Sequence, residues 1–412
     1  MKKYQLNAKS NLYYRTFPGL GLTQLTNIFD TVSDNNKILP RHLTRGLEDV
    51  SYFSLLLGYG GIPTPTTDLF EFLDSLDLNE LRNNKNTILV FDCTFEGMPG
   101  QDLLIAQSLE YSCMRNQINP KKIFLFTGNL KPLEHHTAIN VIPVFILHLS
   151  FENLKGIENG LKPFWIPGIN LTSSYNLCKQ NFKKSVLSLS RRNRHHRVLA
   201  HFMLSKSEIF EDSIISQALI HEKIDGMAFN HIDADILRKI GLTFDDFEEF
   251  RNKLPFIADG DFFHKNVPFD PLIDLHSTTA FSIVNETLAD NQKGESLFYS
   301  EKFLKPIINF QPMLIYGQQG INKNMHVLGF KSYESYFNLD FDDEPDDILR
   351  YKKLLISATE AVKQLRAMTR DQQIEWRFHQ TELLEFNFYN VVHMKHVHTQ
   401  MEKFLGLVKD IL

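Results

Sequence analysis

Residues 87–129 read TILVFDCTFEGMPGQDLLIAQSLEYSCMRNQINPKKIFLFTGN. The run Thr87-Ile-Leu-Val-Phe91 is short and apolar, as expected of a strand buried on both faces of a parallel sheet. Residues 101–115 read as a helix, and Lys122-Ile-Phe-Leu-Phe126 as a second apolar strand. Val141–Leu147 supplies a third strand. Strands alternating with helices predict a parallel, doubly wound α/β sheet. Ligands of such sheets collect beyond the carboxyl ends of the strands. Asp92 and Glu96 of the first loop, and Asn129 of the second, fall at those ends.

Upstream, Leu55–Pro63 is a glycine-rich turn without the spacing of a phosphate loop, and residues 67–83 predict an amphipathic helix. Downstream, Gly156, Gly160, Pro163, Pro167 and Gly168 mark a linker over 151–180. A second strand–helix series follows. Ser185–Ser190 reads as a strand, Val198–Leu204 as a helix, and 206–222 and 233–253 as helical regions. Thr278–Val284 predicts a strand ending in Asn285-Glu286-Thr287. Ser300-Glu301-Lys302 opens a helix that meets Pro306, and the apolar run Pro312–Tyr316 is closed by Gly317 and Gly320. Asp340–Asp347 reads as a solvated acidic loop, and 346–366 and 371–411 as long helices.

The 412 residues suffice for two domains, and 43% apolar with 23% charged residues is ordinary for a globular chain. A net charge of -5 gives no overall polyanion-binding signature. Cys93, Cys113 and Cys178 are widely spaced and odd in number, which disfavours a metal pair or a disulfide framework and fits a cytoplasmic setting. No leader-like segment and no run of about 18 apolar residues is present, so no transmembrane helix is expected.

Two stretches carry candidate chemistry. Seven Lys or Arg and no acid lie between Asn181 and Lys206, and Arg191, Arg194 and Arg197 fall on a turn between strand and helix. Guanidinium groups grip phosphate oxygens in pairs, so this turn suits a diphosphate, although a solvated basic loop or a nucleic-acid patch has the same composition. At Ser300-Glu301-Lys302 a helix start would offer unpaired N–H groups, Lys302 a charge, and Glu301 an acceptor for vicinal hydroxyls. A capping box gives the same letters. Asp233-Ala-Asp235 and Asp259-Gly-Asp261 match a short metal pattern but read better as a helix start and a turn. His393, His396 and His398 lack a completing carboxylate, so no metal site is assigned.

Ser188–Val198, together with Ser282-Ile-Val-Asn-Glu286-Thr287 and Ser300-Glu301-Lys302-Phe-Leu-Lys305-Pro306, resembles the donor-domain motifs of exostosin-like and fucosyltransferase-like glycosyltransferases, enzymes common in bacterial and phage genomes. The match spans 185–345; Ser190 stands where the family pattern has Asn. The resemblance implies two Rossmann-like domains facing across a cleft, the GT-B arrangement. It divides the chain into an acceptor domain over 1–175, a donor domain over 176–365, and C-terminal helices over 366–412 that pack back on the first. It implies transfer of a sugar from a nucleoside diphosphate, with inversion and without a metal or other cofactor. GDP is favoured over UDP, and the acceptor is a glycan or a modified DNA base. Arg191, Arg194, Arg197, Glu286, Ser300, Glu301 and Lys302 would hold the donor. Glu96 would be the base, with Asp92 second. The alternatives are a nucleic-acid-binding module, or a non-catalytic assembly subunit, using the basic 183–206 segment.

Overall fold

The structure is a computed structural model of the chain. It describes residues 7–8, 13–14, 51–56, 64–70, 73, 75–93, 99–131, 137–143, 183–190, 193–218, 232–258, 273–289, 296–392, 403–404 and 406–410. These form an α/β protein with two parallel sheets, and the chain divides into two compact units. Unit 1 takes residues 1–159, 295–298 and 394–412; unit 2 takes 160–294 and 299–393.

Unit 1 contains β1 (Asn7–Ala8), β2 (Tyr13–Tyr14), β3 (Ser51–Leu56), β4 (Thr87–Cys93), β5 (Ile123–Thr127) and β6 (Asn140–Pro143). The sheet order is β1-β3-β4-β5-β6, with β2 also on β3, and every pairing is parallel. Helix α1 (Ser75–Asn83) precedes β4, and α2 (Pro99–Asn116) links β4 to β5. One face of the sheet places Leu89, Phe91, Ile123 and Leu125 against Ile105, Ala106 and Leu109 of α2. Phe124 and Phe126 point the other way and meet the Phe404 ring at 5.1 and 5.0 Å. Both faces are therefore covered, which is why these strands are apolar without alternation.

Unit 2 contains β7 (Lys184–Ser190), β8 (Ser213–Gln217), β9 (Thr279–Asn285) and β10 (Met313–Tyr316), in the parallel order β10-β9-β7-β8. Around them lie α3 (His195–Ser205), α4 (Ala234–Ile240), α5 (Phe244–Asn252), α6 (Ile273–Ser277), α7 (Leu304–Ile308), α8 (Asp347–Arg366), α9 (Arg370–Phe378) and α10 (Thr381–Val392). The central strand β9 is buried along its whole length. Two buried arginines tie the helices to the sheet through backbone carbonyls. Arg350 of α8 donates to the carbonyls of Gly317, Glu344, Pro345 and Ala289. Arg377 of α9 donates to those of Phe310, His276, Thr279 and Asn309.

Several sequence expectations are corrected. The helical region over 206–222 contains β8, since Ser213-Ile-Ile-Ser-Gln217 pairs with Val186–Ser190 of β7. The helix over 67–83 is confined to α1, with Thr64–Phe70 in turns. The region 233–253 is split at Gly241, whose φ of 79° caps α4. The long helix over 371–411 is broken at 379–380 into α9 and α10, and the Thr369–Gln372 capping box starts α9. In the acidic loop Asp342 is fully buried rather than solvated. The linker 151–180 lies outside the described residues, as do residues 144–147 of the third strand.

Candidate functional site

Because the strands of the second sheet are parallel, Ser190, Gln217, Asn285 and Tyr316 end at one edge. A buried polar network ties three of them to α3. The Asn285 amide nitrogen lies 3.2 Å from both Ser188 Oγ and Ser190 Oγ and 3.0 Å from His201 Nε2. His201 Nδ1 is 2.8 Å from Gln217 Oε1, and Gln217 donates to Asn193 Oδ1. Burial pushes the His201 imidazole down to about 4, so the ring is neutral at pH 7. A neutral ring donating from Nδ1 to Gln217 accepts at Nε2, which is where Ser188 lies at 2.8 Å. The network fixes the residues on either side of Arg191 and Arg192; those two lie outside the described residues.

The first turn of α3 is held against the turn after β9. The Glu286 carbonyl accepts from Arg197 Nε and Nη2, each at 3.0 Å, and from His196 Nε2 at 2.9 Å. Arg194 donates to the Thr287 carbonyl at 3.0 Å. Burial, then the neighbouring Arg197 charge, pushes His196 down to about 3; it is neutral and donates from Nε2. Arg197 is buried, and Arg194 is half-buried at the amino end of α3 without a side-chain cap.

The third piece arrives from residues 300–302. The fully buried Glu286 carboxylate accepts from the Ser300 N–H at 3.1 Å, from the Thr287 N–H at 2.9 Å, and from the Ser300 hydroxyl. Lys302 Nζ donates to Thr287 Oγ1 at 3.1 Å and to Ser300 Oγ at 3.0 Å. Arg194, Arg197, Glu286, Ser300 and Lys302 are thus brought to one place from segments about 90 residues apart in sequence. The expected helix start is smaller than the sequence suggests: Glu301–Phe303 form a single tight turn and α7 has five residues. Pro306 sits in its first helical turn, where its missing N–H costs least. A helix this short adds little dipole, so the cationic side chains carry the attraction for an anion. The description of Glu301 stops at its backbone.

Gly317 follows β10 beside this cluster. A Cβ there would lie 2.7 Å from Ile321 Cδ1 and 3.2 Å from Glu286 Cβ, so glycine permits the approach of the two turns. Asp342 holds the same region from below, accepting from Asn322 Nδ2 at 2.8 Å and from the Lys323 N–H at 2.9 Å. Burial pushes the Asp342 carboxyl up to about 6.

In unit 1, Asp92 lies on β4 paired with Phe126 of β5, and its description stops at the backbone. Glu96 lies outside the described residues. Asn129 is buried beyond β5 and its Oδ1 accepts from the N–H groups of Lys131 and Leu297 at 3.1 and 3.0 Å. Sequence reasoning missed Asp102 here. An acid in the first turn of a helix reads as a favourable dipole partner, yet Asp102 is only 1% exposed. Burial pushes it up to about 7 against the side-chain hydrogen bonds of Thr127 and Asn129, and its Oδ2 has no hydrogen-bond partner.

Asp233 caps α4, accepting from the N–H groups of Asp235 and Ile236, and Asp235 pairs with Arg238 at 2.9 Å. Asp259, Asp261, His393, His396 and His398 lie outside the described residues. No helix among the described residues is long and apolar enough to cross a membrane. No family model, curated protein or solved structure matches the chain.

Proposed function

We propose that the chain is a glycosyltransferase that moves a sugar from a nucleoside diphosphate to an acceptor hydroxyl. The observation that supports this best is the meeting of Arg194, Arg197 and Lys302 around Glu286-Thr287 at the carboxyl edge of a parallel sheet. That edge is where such sheets take their ligands, and clustered fixed cations suit a diphosphate. On this reading the two units are the halves of a GT-B enzyme, unit 2 taking the donor and unit 1 the acceptor, a glycan or a modified DNA base. GDP is the preferred nucleotide, UDP the second.

The roles divide by burial. Arg197, buried and bonded to the Glu286 carbonyl, positions the turn. Glu286, through Ser300, positions Lys302. The half-buried Arg194 and Lys302 meet the leaving diphosphate, Arg191 is assigned to the same group by the sequence pattern alone, and Glu301 takes the ribose hydroxyls. Charge grows on the leaving phosphate in the transition state, so cations held in advance stabilise that state more than the ground state. An inverting transfer needs a base for the acceptor hydroxyl, and Glu96, with Asp92 second, is assigned that role. The chemistry requires neither a metal nor another cofactor.

The test is a calorimetric titration of GDP and UDP into the wild-type chain and Lys302→Ala. Loss of a charge-assisted contact costs about 1.5–3 kcal/mol, or roughly ten- to a hundredfold in affinity. Equal affinity in both proteins would remove Lys302 from the donor site, and no affinity in either would remove the donor site.

A further inference from the structure

A cleft lies in unit 2, away from the edge just described. The loop 334–338, the end of α8 and one face of α9 enclose an open cleft of about 630 Å³. Clefts of small ligands run to about 300–1,000 Å³. Its floor is aromatic. Tyr336 and Phe337 meet the Trp376 indole edge-on, with ring centroids 5.3 and 6.1 Å apart. The two smaller rings are buried, whereas Trp376 is half-buried and lines the cleft. Its rim is polar: Glu334, Asn338, Gln364, Gln372 and Glu375 are exposed around it.

The chemistry of the rim narrows the ligand. The side chains of Glu334, Gln364 and Glu375 have no hydrogen-bond or ion-pair partner among the described residues, so their polar atoms are offered to the cleft. No Lys or Arg lines it, and its one basic side chain is His379, whose ring lies against Tyr336 at 4.4 Å between centroids, so two unpaired carboxylates outweigh it and phosphates and other anions are disfavoured. A quaternary ammonium ion needs several ring faces around it, and here Tyr336 and Phe337 are turned into the core. A ring with one apolar face and a girdle of hydroxyls fits both features: the indole takes the C–H face, and carboxylates and amides take the hydroxyls. We infer that this cleft is a binding subsite for neutral saccharides, with Trp376 as its platform and Glu334, Gln364 and Glu375 as its hydroxyl partners. The inference stands apart from the donor-site reading and would survive the loss of nucleotide binding.

Trp165 and Trp376 are the two tryptophans of the chain, so Trp165→Phe leaves Trp376 as the sole indole reporter. The fluorescence of that full-length chain is titrated with maltohexaose, cellohexaose, chitohexaose and laminarihexaose. A saturable change with at least one of them is expected, weakened tenfold or more by Gln364→Ala with Glu375→Ala. Both substitutions are on the exposed rim, and circular dichroism is recorded on the variant to check that its fold is intact. If Trp165→Phe does not fold, saturation-transfer NMR on the wild-type chain and the rim variant reads the same comparison. No saturable binding of any of the four, binding unchanged by the rim variant, or saturable binding of tetramethylammonium in their place would overturn the inference.

Discussion

Arg377 shows how much one side chain organises. Its guanidinium, fully buried, serves the carbonyls of Phe310, His276, Thr279 and Asn309. Five donors in a rigid plane can do this, and the three donors of a lysine on a flexible stem cannot. Arg377→Met keeps the stem and leaves buried carbonyls without donors, each at about 1–3 kcal/mol. A loss of at least about 3 kcal/mol is expected in urea denaturation, and Arg377→Lys should recover little of it. Titratable residues give a second prediction. His196, His201 and His276 are held neutral by burial, down to about 3, 4 and 3. Their unfolded forms take up protons below about pH 6.5, so stability is fully present above that pH and is lost as pH falls toward 4. Asp102 acts in the opposite sense. Its folded carboxyl holds a proton up to about pH 7 that the unfolded chain releases near 3.8, so its ionisation destabilises the fold as pH rises through that window. Asp102→Asn removes that loss. Thermal melts from pH 4 to pH 8 should show the variant gaining on the wild type as pH rises, by a few kcal/mol at about 1.36 kcal/mol per unit of separation. A difference that does not change with pH would show that Asp102 does not titrate there.

At the scale of elements, the turn after β9 and the turn after β10 meet without room between them. Gly317→Ala places a methyl group 2.7 Å from Ile321 Cδ1 and 3.2 Å from Glu286 Cβ. Overpacking of this kind costs about 1–3 kcal/mol, and here it displaces Glu286, hence Ser300 and Lys302. Lower stability together with weaker GDP binding is expected; a melt shift with unchanged nucleotide affinity would uncouple the turn from the site. The elements also show what the sequence discloses. The strands β4, β5 and β10 were legible because burial on both faces writes an uninterrupted apolar run, and β7 and β9 because short apolar runs, Val186-Leu187 with Leu189 and Ala280-Phe281 with Ile283-Val284, are broken only by a serine. Strand β8 was not, because Ser213-Ile-Ile-Ser-Gln217 is short, half polar and at the sheet edge, and a helical pattern on either side absorbs it. The break between α9 and α10 was also hidden, since no Gly or Pro marks residues 379–380. In the site, the basic turn after β7 showed Arg194 and Arg197, the Ser300-Glu301-Lys302 triplet showed Ser300 and Lys302, and Glu286 entered through the resemblance to the donor motif. The sequence could not show that Glu286 faces inward as a scaffold, nor that Asp102 and Asp342 are buried, because solvation of an acid depends on packing distant in sequence.

Over the whole molecule, the chain enters unit 1 three times and unit 2 twice. Neither unit is a continuous segment, so neither is obtained by a single cut. The last segment, 394–412, belongs to unit 1, and its Phe404 covers Phe124 and Phe126 of β5. Truncation after His393 uncovers those rings, and loss of a buried aromatic contact costs about 3–5 kcal/mol. Hydrogen exchange should then accelerate at 123–127 and much less at 184–190; equal acceleration in both sheets would mean that the tail supports the entire chain. Binding of a nucleotide that recognises only the folded chain should raise its melting temperature. The most direct test of the donor-site claim is therefore a thermal-shift titration with GDP, UDP, CMP, ADP and dTDP, each with magnesium and with EDTA. At about 100 times the dissociation constant, a ligand of the native state adds about 2.7 kcal/mol. A clear stabilisation by GDP, or by UDP in its place, that is unchanged by EDTA and lost in Lys302→Ala is the predicted result; no stabilisation by any of the five nucleotides would contradict the account.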